Sequence, residues 1–270
     1  MRVLLALLLL NTAAWAQYAG QLRVESAQPG AVVYIDRRVA GAAPITVQVA
    51  PGPHLVRVSI DQDWFPFEDT IDVRPGEVVS VNANLHRSAW SFFKEGLADF
   101  QAGHVAEAGQ AFHDSLDSPG KQNPANWFYL GRIEEQAGRS QAAADDYAHY
   151  LNYHDESVAA HYHLGRMEEA LGETGRAATS YKLGLFRTDH RLEADTRAAP
   201  PPTAHNIKTL ENDTDPDHQT QLAYLYELKG DLEDARRLYR SLLEAHATNL
   251  DLPQPENPPE APEPIPAPAP

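Results

Sequence analysis

Two stretches of this chain are near-copies of each other at a fixed pitch. Gly131-Arg132-Ile133-Glu134-Glu135 with Gly138 recurs 34 residues on as Gly165-Arg166-Met167-Glu168-Glu169 with Gly172. Leu130/Leu164, Ala143/Ala177, Tyr147/Tyr181 and Leu151/Leu185 keep the same offset. Such a period, rich in Ala, Leu, Glu and Gln, describes a helical hairpin stacked so that each copy buries its neighbour. Small residues at Gly131, Ala143, Gly165 and Ala177 let the two helices of a hairpin approach closely, while Tyr147 and Tyr181 fill the space between hairpins. Gly103, Gly138, Gly172 and Gly230 stand where the first helix of each hairpin should stop. An upstream copy begins near Ala89 (Gly96, Gly103, Ala108, Phe112, Leu116) and a downstream one near Pro216 (Leu222, Ala223, Gly230, Ala235, Tyr239, Leu243). Four units are therefore expected at 89–122, 124–157, 158–191 and 216–249.

This register resembles the tetratricopeptide repeat (TPR) family. The resemblance implies an α-helical solenoid whose first helices line a concave face, on which the family binds extended peptides. The fifth, ninth and twelfth positions of each repeat face that groove. They are Phe93, Leu97 and Phe100 in the first unit, Phe128, Arg132 and Glu135 in the second, and Tyr162, Arg166 and Glu169 in the third. An aromatic recurs in all three, with Arg one turn beyond it in two. That pattern suits an apolar peptide side chain beside a carboxylate, which Arg grips with two parallel N–H bonds. A plainer reading fits the same residues. Arg132 and Glu135, like Arg166 and Glu169, are three apart and can pair within their own helix, and the aromatics can pack between units.

Before the repeats the period changes to two. Leu22/Val24, Val33/Ile35, Ile45/Val47/Val49, Val56/Val58/Ile60, Ile71/Val73 and Val79/Val81/Ala83/Leu85 alternate with polar residues, and Pro-Gly turns at 29–30, 51–53 and 75–76 separate them. Six short strands at this spacing predict a small antiparallel β-sandwich. The runs "SAQPGAVVYID", "GAAPITVQVAPGPHLVRVS" and "FPFEDTIDVRPGEVV" resemble a PEGA domain at about 20–86. That family is a generally non-catalytic module of prokaryotic surface and envelope proteins. The sequence departs from it at Gln28-Pro29-Gly30-Ala31 and at Arg37-Arg38, which stands where the family has a glycine turn. The whole is thus a multidomain β + α chain, a sandwich followed by a solenoid.

Arg2, the apolar run Val3–Leu10 and Ala14-Trp15-Ala16 make a signal peptide of residues 1–16. As a helix the run spans about 12 Å, too short for about 30 Å of bilayer core. The mature chain then has no transmembrane segment and belongs in the periplasm or envelope, or is secreted. With no Cys there is no lipidated N-terminus and no disulfide. Residues 192–215, with Ala198–Pro202 reading "AAPPP", look like a Pro-rich surface loop, either a tolerated insertion or a lid. Residues 250–270 form a Pro- and Glu-rich tail expected to be extended, either a linker or a docking strip.

A formal charge of −16 argues against nucleic acid, whose phosphates would repel such a chain. No G-x-S-x-G elbow and no phosphate-cradling Gly-rich loop is present, so neither an enzyme nor a cofactor is expected. Twelve histidines are present, but His161 and His163 are two apart on a helix and point to opposite sides. They read as solvated, as do the adjacent carboxylates Asp145-Asp146 and Glu168-Glu169, and no metal site is expected. The function expected is that of a non-enzymatic envelope scaffold binding a protein or peptide partner in the groove. The alternative is a cell-wall or carbohydrate binder using Trp64, Phe65 and Phe67 on the β-domain.

Overall fold

The computed structural model describes residues 19–119, 122–247 and 250. The signal peptide and most of the tail lie outside the described residues. The chain divides into two compact units. The first comprises residues up to Leu97 with the segment from Asp114, and the second Ala98–His113 with the chain from Asn123 onward.

The first unit is a sandwich of two sheets. β1 (Gly20–Glu25) lies between β4 (Ile45–Val49) and β8 (Val78–Asn82). The other sheet runs β3 (Arg38–Ala42), β2 (Val32–Ile35), β5 (Gly52–Ser59), β7 (Phe67–Val73). Alternate residues of both sheets meet in one core, including Leu22, Val24, Val33, Val56, Val58, Val73 and Val81. The alternation in the sequence is this inward face. One pairing departs from the expected antiparallel order, because β1 and β8 run parallel. A two-residue ladder joins β6 (Trp64–Phe65) to β9 (His86–Arg87).

The turn between β2 and β3 replaces glycine with two residues of positive φ, Asp36 at 51° and Arg37 at 65°. Both central residues of a tight type I′ hairpin need that conformation. Asp36 is held there by its carboxylate, which accepts from the Leu55 backbone N–H (3.1 Å) and from His54 Nδ1 (2.7 Å). His54 Nε2 donates to the Ala50 carbonyl at 2.7 Å. Burial opposes charge on this ring, but the Ala50 carbonyl and Asp36 carboxylate outweigh it and raise the His54 pKa.

The described helices are α1 (Ala89–Ala102), α2 (Val105–Asp117), α3 (Ala125–Gln136), α4 (Ser140–Leu151), α5 (Val158–Ala170), α6 (Thr174–Thr188), α7 (His190–Arg197), α8 (Ala204–Leu210), α9 (Pro216–Lys229) and α10 (Leu232–His246). α3/α4 and α5/α6 are successive hairpins, with α5 packed on α4. The small-residue positions act as expected. A Cβ on Gly131 would stand 2.9 Å from Tyr147 Cε1, and one on Gly165 2.7 Å from Tyr181 Cε1. No other residue lets the two helices close on those rings.

Two features of the C-terminal part differ from the sequence reading. The insertion is not a surface loop. It forms α7 and α8, whose Leu192 and Ile207 are buried in one core with Leu185, Leu222 and Leu243. "AAPPP" is only the break between these helices, since Pro cannot continue α7. The last hairpin also enters reversed. α10 packs along α6, where regular stacking would place α9, while α9 lies against α7, α8 and α10. Gly184 makes room for Leu243, since a Cβ there would sit 3.0 Å from Leu243 Cδ2.

Candidate functional site

In the second unit α3, α5 and α10 carry a continuous polar seam. Its centre is Glu135, with a side chain 11% exposed. Tyr147 donates its hydroxyl hydrogen to Glu135 Oε2 at 2.8 Å, and His163 Nδ1 lies 2.8 Å from the same oxygen. Arg166 Nη1 holds Oε1 at 2.9 Å, and Arg132 stands 4.0 Å away. Burial alone would raise this carboxyl, but His163, Tyr147 and Arg166 prevail and lower it. Burial and Glu135 together push the Tyr147 phenol up.

The seam continues to α10. Arg166 sits 5.9 Å from the Tyr162 ring centroid, and Tyr162 donates its hydroxyl hydrogen to Glu244 at 3.0 Å. Arg240 bonds both Glu244 and Glu169 at 2.9 Å, and Arg236 also pairs with Glu169. The reversed entry of α10 supplies these last partners. Between α6 and α9, Lys182 donates to Glu227 at 2.6 Å, and Tyr239 donates to the other Glu227 oxygen at 3.0 Å.

The expected groove residues divide. Phe128 is fully buried and packs edge-on against Tyr129, Tyr147, Tyr150 and His163. It is core and not groove, because those rings close over its whole surface. Phe93, in the first unit, is likewise buried and stacks on Trp90 at 5.6 Å, and Leu97 of that unit is half-buried. Phe100 is half-buried with its ring edge-on to Tyr129 at 5.3 Å. Glu135 and Glu169 are engaged between helices. Arg132 and Tyr162 are half-buried in the seam, and the Arg166 side chain is 41% exposed. The within-helix pair is present for Arg132 and Glu135, whereas Arg166 crosses to Glu135 and leaves Glu169 to α10.

Other readings of solvated residues are corrected. His161 and His163 are buried, and His161 Nε2 donates to the Asp155 carbonyl at 2.9 Å. They face opposite sides as the spacing requires, but each side is covered, one by Asp155 and α6, the other by Glu135. Glu168 is buried too, accepting from Ser180 Oγ at 2.6 Å and pairing with Arg176 at 3.1 Å. Asp146 is half-buried, and burial with the nearby Glu134 and Asp145 charges pushes it up to about 7. Of the β-domain aromatics only Phe65 is exposed, whereas Trp64 and Phe67 pack against the sandwich core. One exposed ring gives no stacking platform. Among the described residues no group of three or more His, Asp or Glu could hold a metal ion.

Chemically the seam offers guanidinium N–H donors beside an aromatic face, on helices fixed by buried pairs. Guanidinium donors of this kind form short, charge-assisted bonds to carboxylate oxygens. The fold and this face define a β-sandwich module joined to a helical-repeat module of the protein-interaction type. In sequence, residues 19–89 match the PEGA domain and residues 93–153 match a tetratricopeptide repeat, so the chain carries a PEGA domain followed by TPR repeats. No curated protein matches the chain. Similar solved structures include MamA (16% identity, 58% of this chain and 77% of that one, TM-score 0.38). A second MamA structure, titled AMB-1, has 18% identity over 60% of this chain and 76% of that one, TM-score 0.39. A tetratricopeptide repeat protein from Parabacteroides merdae has 18% identity over 58% of this chain and 66% of that one, TM-score 0.34. Among the described residues no helix is long and apolar enough to cross a membrane.

Proposed function

We propose that this chain is an exported, non-catalytic scaffold whose helical array binds an extended segment of a partner protein along α3, α5 and α10. The observation that supports this is Arg166. One edge of its guanidinium is anchored by Glu135, the group lies near the Tyr162 ring, and the Arg166 side chain is 41% exposed. A pre-oriented fork loses little freedom on gripping a carboxylate. Export rests on the Arg2, Val3–Leu10 and Ala14–Ala16 pattern together with the PEGA domain, a module of surface and envelope proteins.

The test uses Arg166→Ala with Tyr162→Ala in the full chain. Capture of an envelope partner identified by mass should fall at least tenfold at a temperature where circular dichroism shows both the variant and the wild type fully folded. Undiminished capture rejects this face. Phe128→Ala is no substitute, because removing a fully buried ring costs about 3–5 kcal/mol in stability and confounds the readout. N-terminal sequencing of the purified protein checks export. A mature chain starting at Gln17 is expected, and one retaining Met1 refutes cleavage.

A further inference from the structure

His54 has an acceptor on each ring nitrogen. Nδ1 lies 2.7 Å from Asp36 Oδ2, and Nε2 lies 2.7 Å from the Ala50 carbonyl oxygen. Burial raises the Asp36 carboxyl, but His54 and the Leu55 N–H outweigh it and keep it ionised. Neither oxygen therefore carries a hydrogen, and both nitrogens must donate at once. Only the imidazolium can do so, since the neutral ring has a single N–H.

The ring thereby joins two turns. Asp36 belongs to the β2–β3 turn, and Ala50 to the connection from β4 to β5, where the chain passes between the two sheets. The His54 side chain is 12% exposed, that of Asp36 52%. A neutral ring keeps its Nε2–H on the Ala50 carbonyl and gives up the Asp36 carboxylate, which water can solvate. Asp36 is then left with the Leu55 N–H alone. The turn it anchors is strained, with φ of 51° at Asp36 and 65° at Arg37.

Charged groups near the ring come from the β2–β3 turn (Asp36, Arg37, Arg38) and from β7. There Ile71 stands opposite His54, with Asp69 and Asp72 close by along the strand. β4 carries no charged side chain. Among the described residues Asp36 alone acts on the ring's charge.

We propose that His54 is a proton-operated staple between these two turns, fixing the presentation of Arg37, Arg38 and Val39 when protonated and freeing it when neutral. All three side chains are exposed, Val39 to 66%. Burial lowers the His54 pKa, but the Ala50 carbonyl and then Asp36 raise it above the ordinary 6.5. The staple is thus closed below pH 6.5 and opens as pH rises through the folded value. It belongs to the β-domain and stands or falls apart from the helical face.

The test is a nuclear magnetic resonance titration of the isotope-labelled full chain through the neutral range. The His54 ring should titrate with a midpoint above 6.5. The Asp36, Arg37 and Arg38 amides should shift with that same midpoint and become more mobile above it. Asp36→Asn keeps an acceptor for the Leu55 N–H and suits left-handed backbone, but cannot hold the imidazolium by charge. Its His54 midpoint should fall to 6.5 or below. His54→Gln should leave the turn amides flat across the range. A wild-type midpoint at or below 6.5, turn amides that ignore it, or an unchanged midpoint in Asp36→Asn overturns the proposal.

Discussion

Tyr147 on α4 gives its hydroxyl hydrogen to Glu135 on α3, 2.8 Å away and twelve residues earlier. The same pair recurs as Tyr239 and Glu227 at 3.0 Å, and Tyr181 stands at the same spacing from Glu169. Each of these carboxylates also takes a cation from a neighbouring hairpin: Arg166 for Glu135, Arg240 for Glu169, Lys182 for Glu227. The Tyr–Glu pair fastens a hairpin internally, and the cation fastens it to the next.

Removing one member should therefore cost more than its own hydrogen bond. Glu135→Ala strands Arg166, His163 and Tyr147 and should destabilise by about 3 kcal/mol, against about 1 kcal/mol for Tyr147→Phe. Because the groups share one network, the double variant should lose clearly less than the sum. Denaturant titrations of the four proteins check this, and simple additivity refutes the network.

Gly165→Ala should be costly although Ala is the better helix former. Its methyl would fall 2.7 Å from Tyr181 Cε1, inside a filled core, and overpacking of this kind costs about 1–3 kcal/mol. Tyr181→Leu, which vacates the ring plane, should recover part of that loss in the double variant. A stabilised Gly165→Ala protein contradicts the packing.

Asp146 sets a pH dependence of opposite sense to a salt-bridged carboxylate. Its pKa is 3.8 without the fold and about 7 within it. Between those values the folded chain keeps a proton that the unfolded chain has released, so stability falls as pH rises through that window. Asp146→Asn should flatten this slope and stabilise at neutral pH by about 1–2 kcal/mol, the half-exposed setting reducing the full shift. Melting curves across that window decide it, and an unchanged slope excludes Asp146 as the source.

At the β2–β3 turn, Arg37→Gly should stabilise by about 0.5–1 kcal/mol. A side chain at φ 65° is strained, and glycine is not. Loss of stability on this change would mean that Arg37 makes a compensating contact outweighing the strain.

Much of this architecture was legible in the residues. Alternation at Leu22/Val24 and Val56/Val58 marked the strands, and the 34-residue pitch marked the hairpins. The Asp36-Arg37 turn was obscured because its left-handed backbone is held by bonds from Asp36 to His54 and Leu55, eighteen and nineteen residues further on. His161, His163 and Glu168 looked solvated because polarity is local, whereas the partners that bury them come from other segments. The twelve-residue Tyr–Glu spacing is present in three units, but spacing alone does not distinguish a buried pair from two solvated residues. The insertion's Leu192 and Ile207 carried too short an apolar pattern to announce α7 and α8. The reversal of α9 and α10 leaves no trace in a repeat register, since pitch records spacing and not direction of entry.

That reversal bears on growth. A regular solenoid exposes a fresh stacking surface at its last hairpin, and another hairpin, from the same chain or a stranger, can join there. With α10 turned inward against α6 and α9 sheltered by α7 and α8, that surface is already spent. Further repeats spliced after residue 247 would find no berth in the array, and the stack is terminated from within.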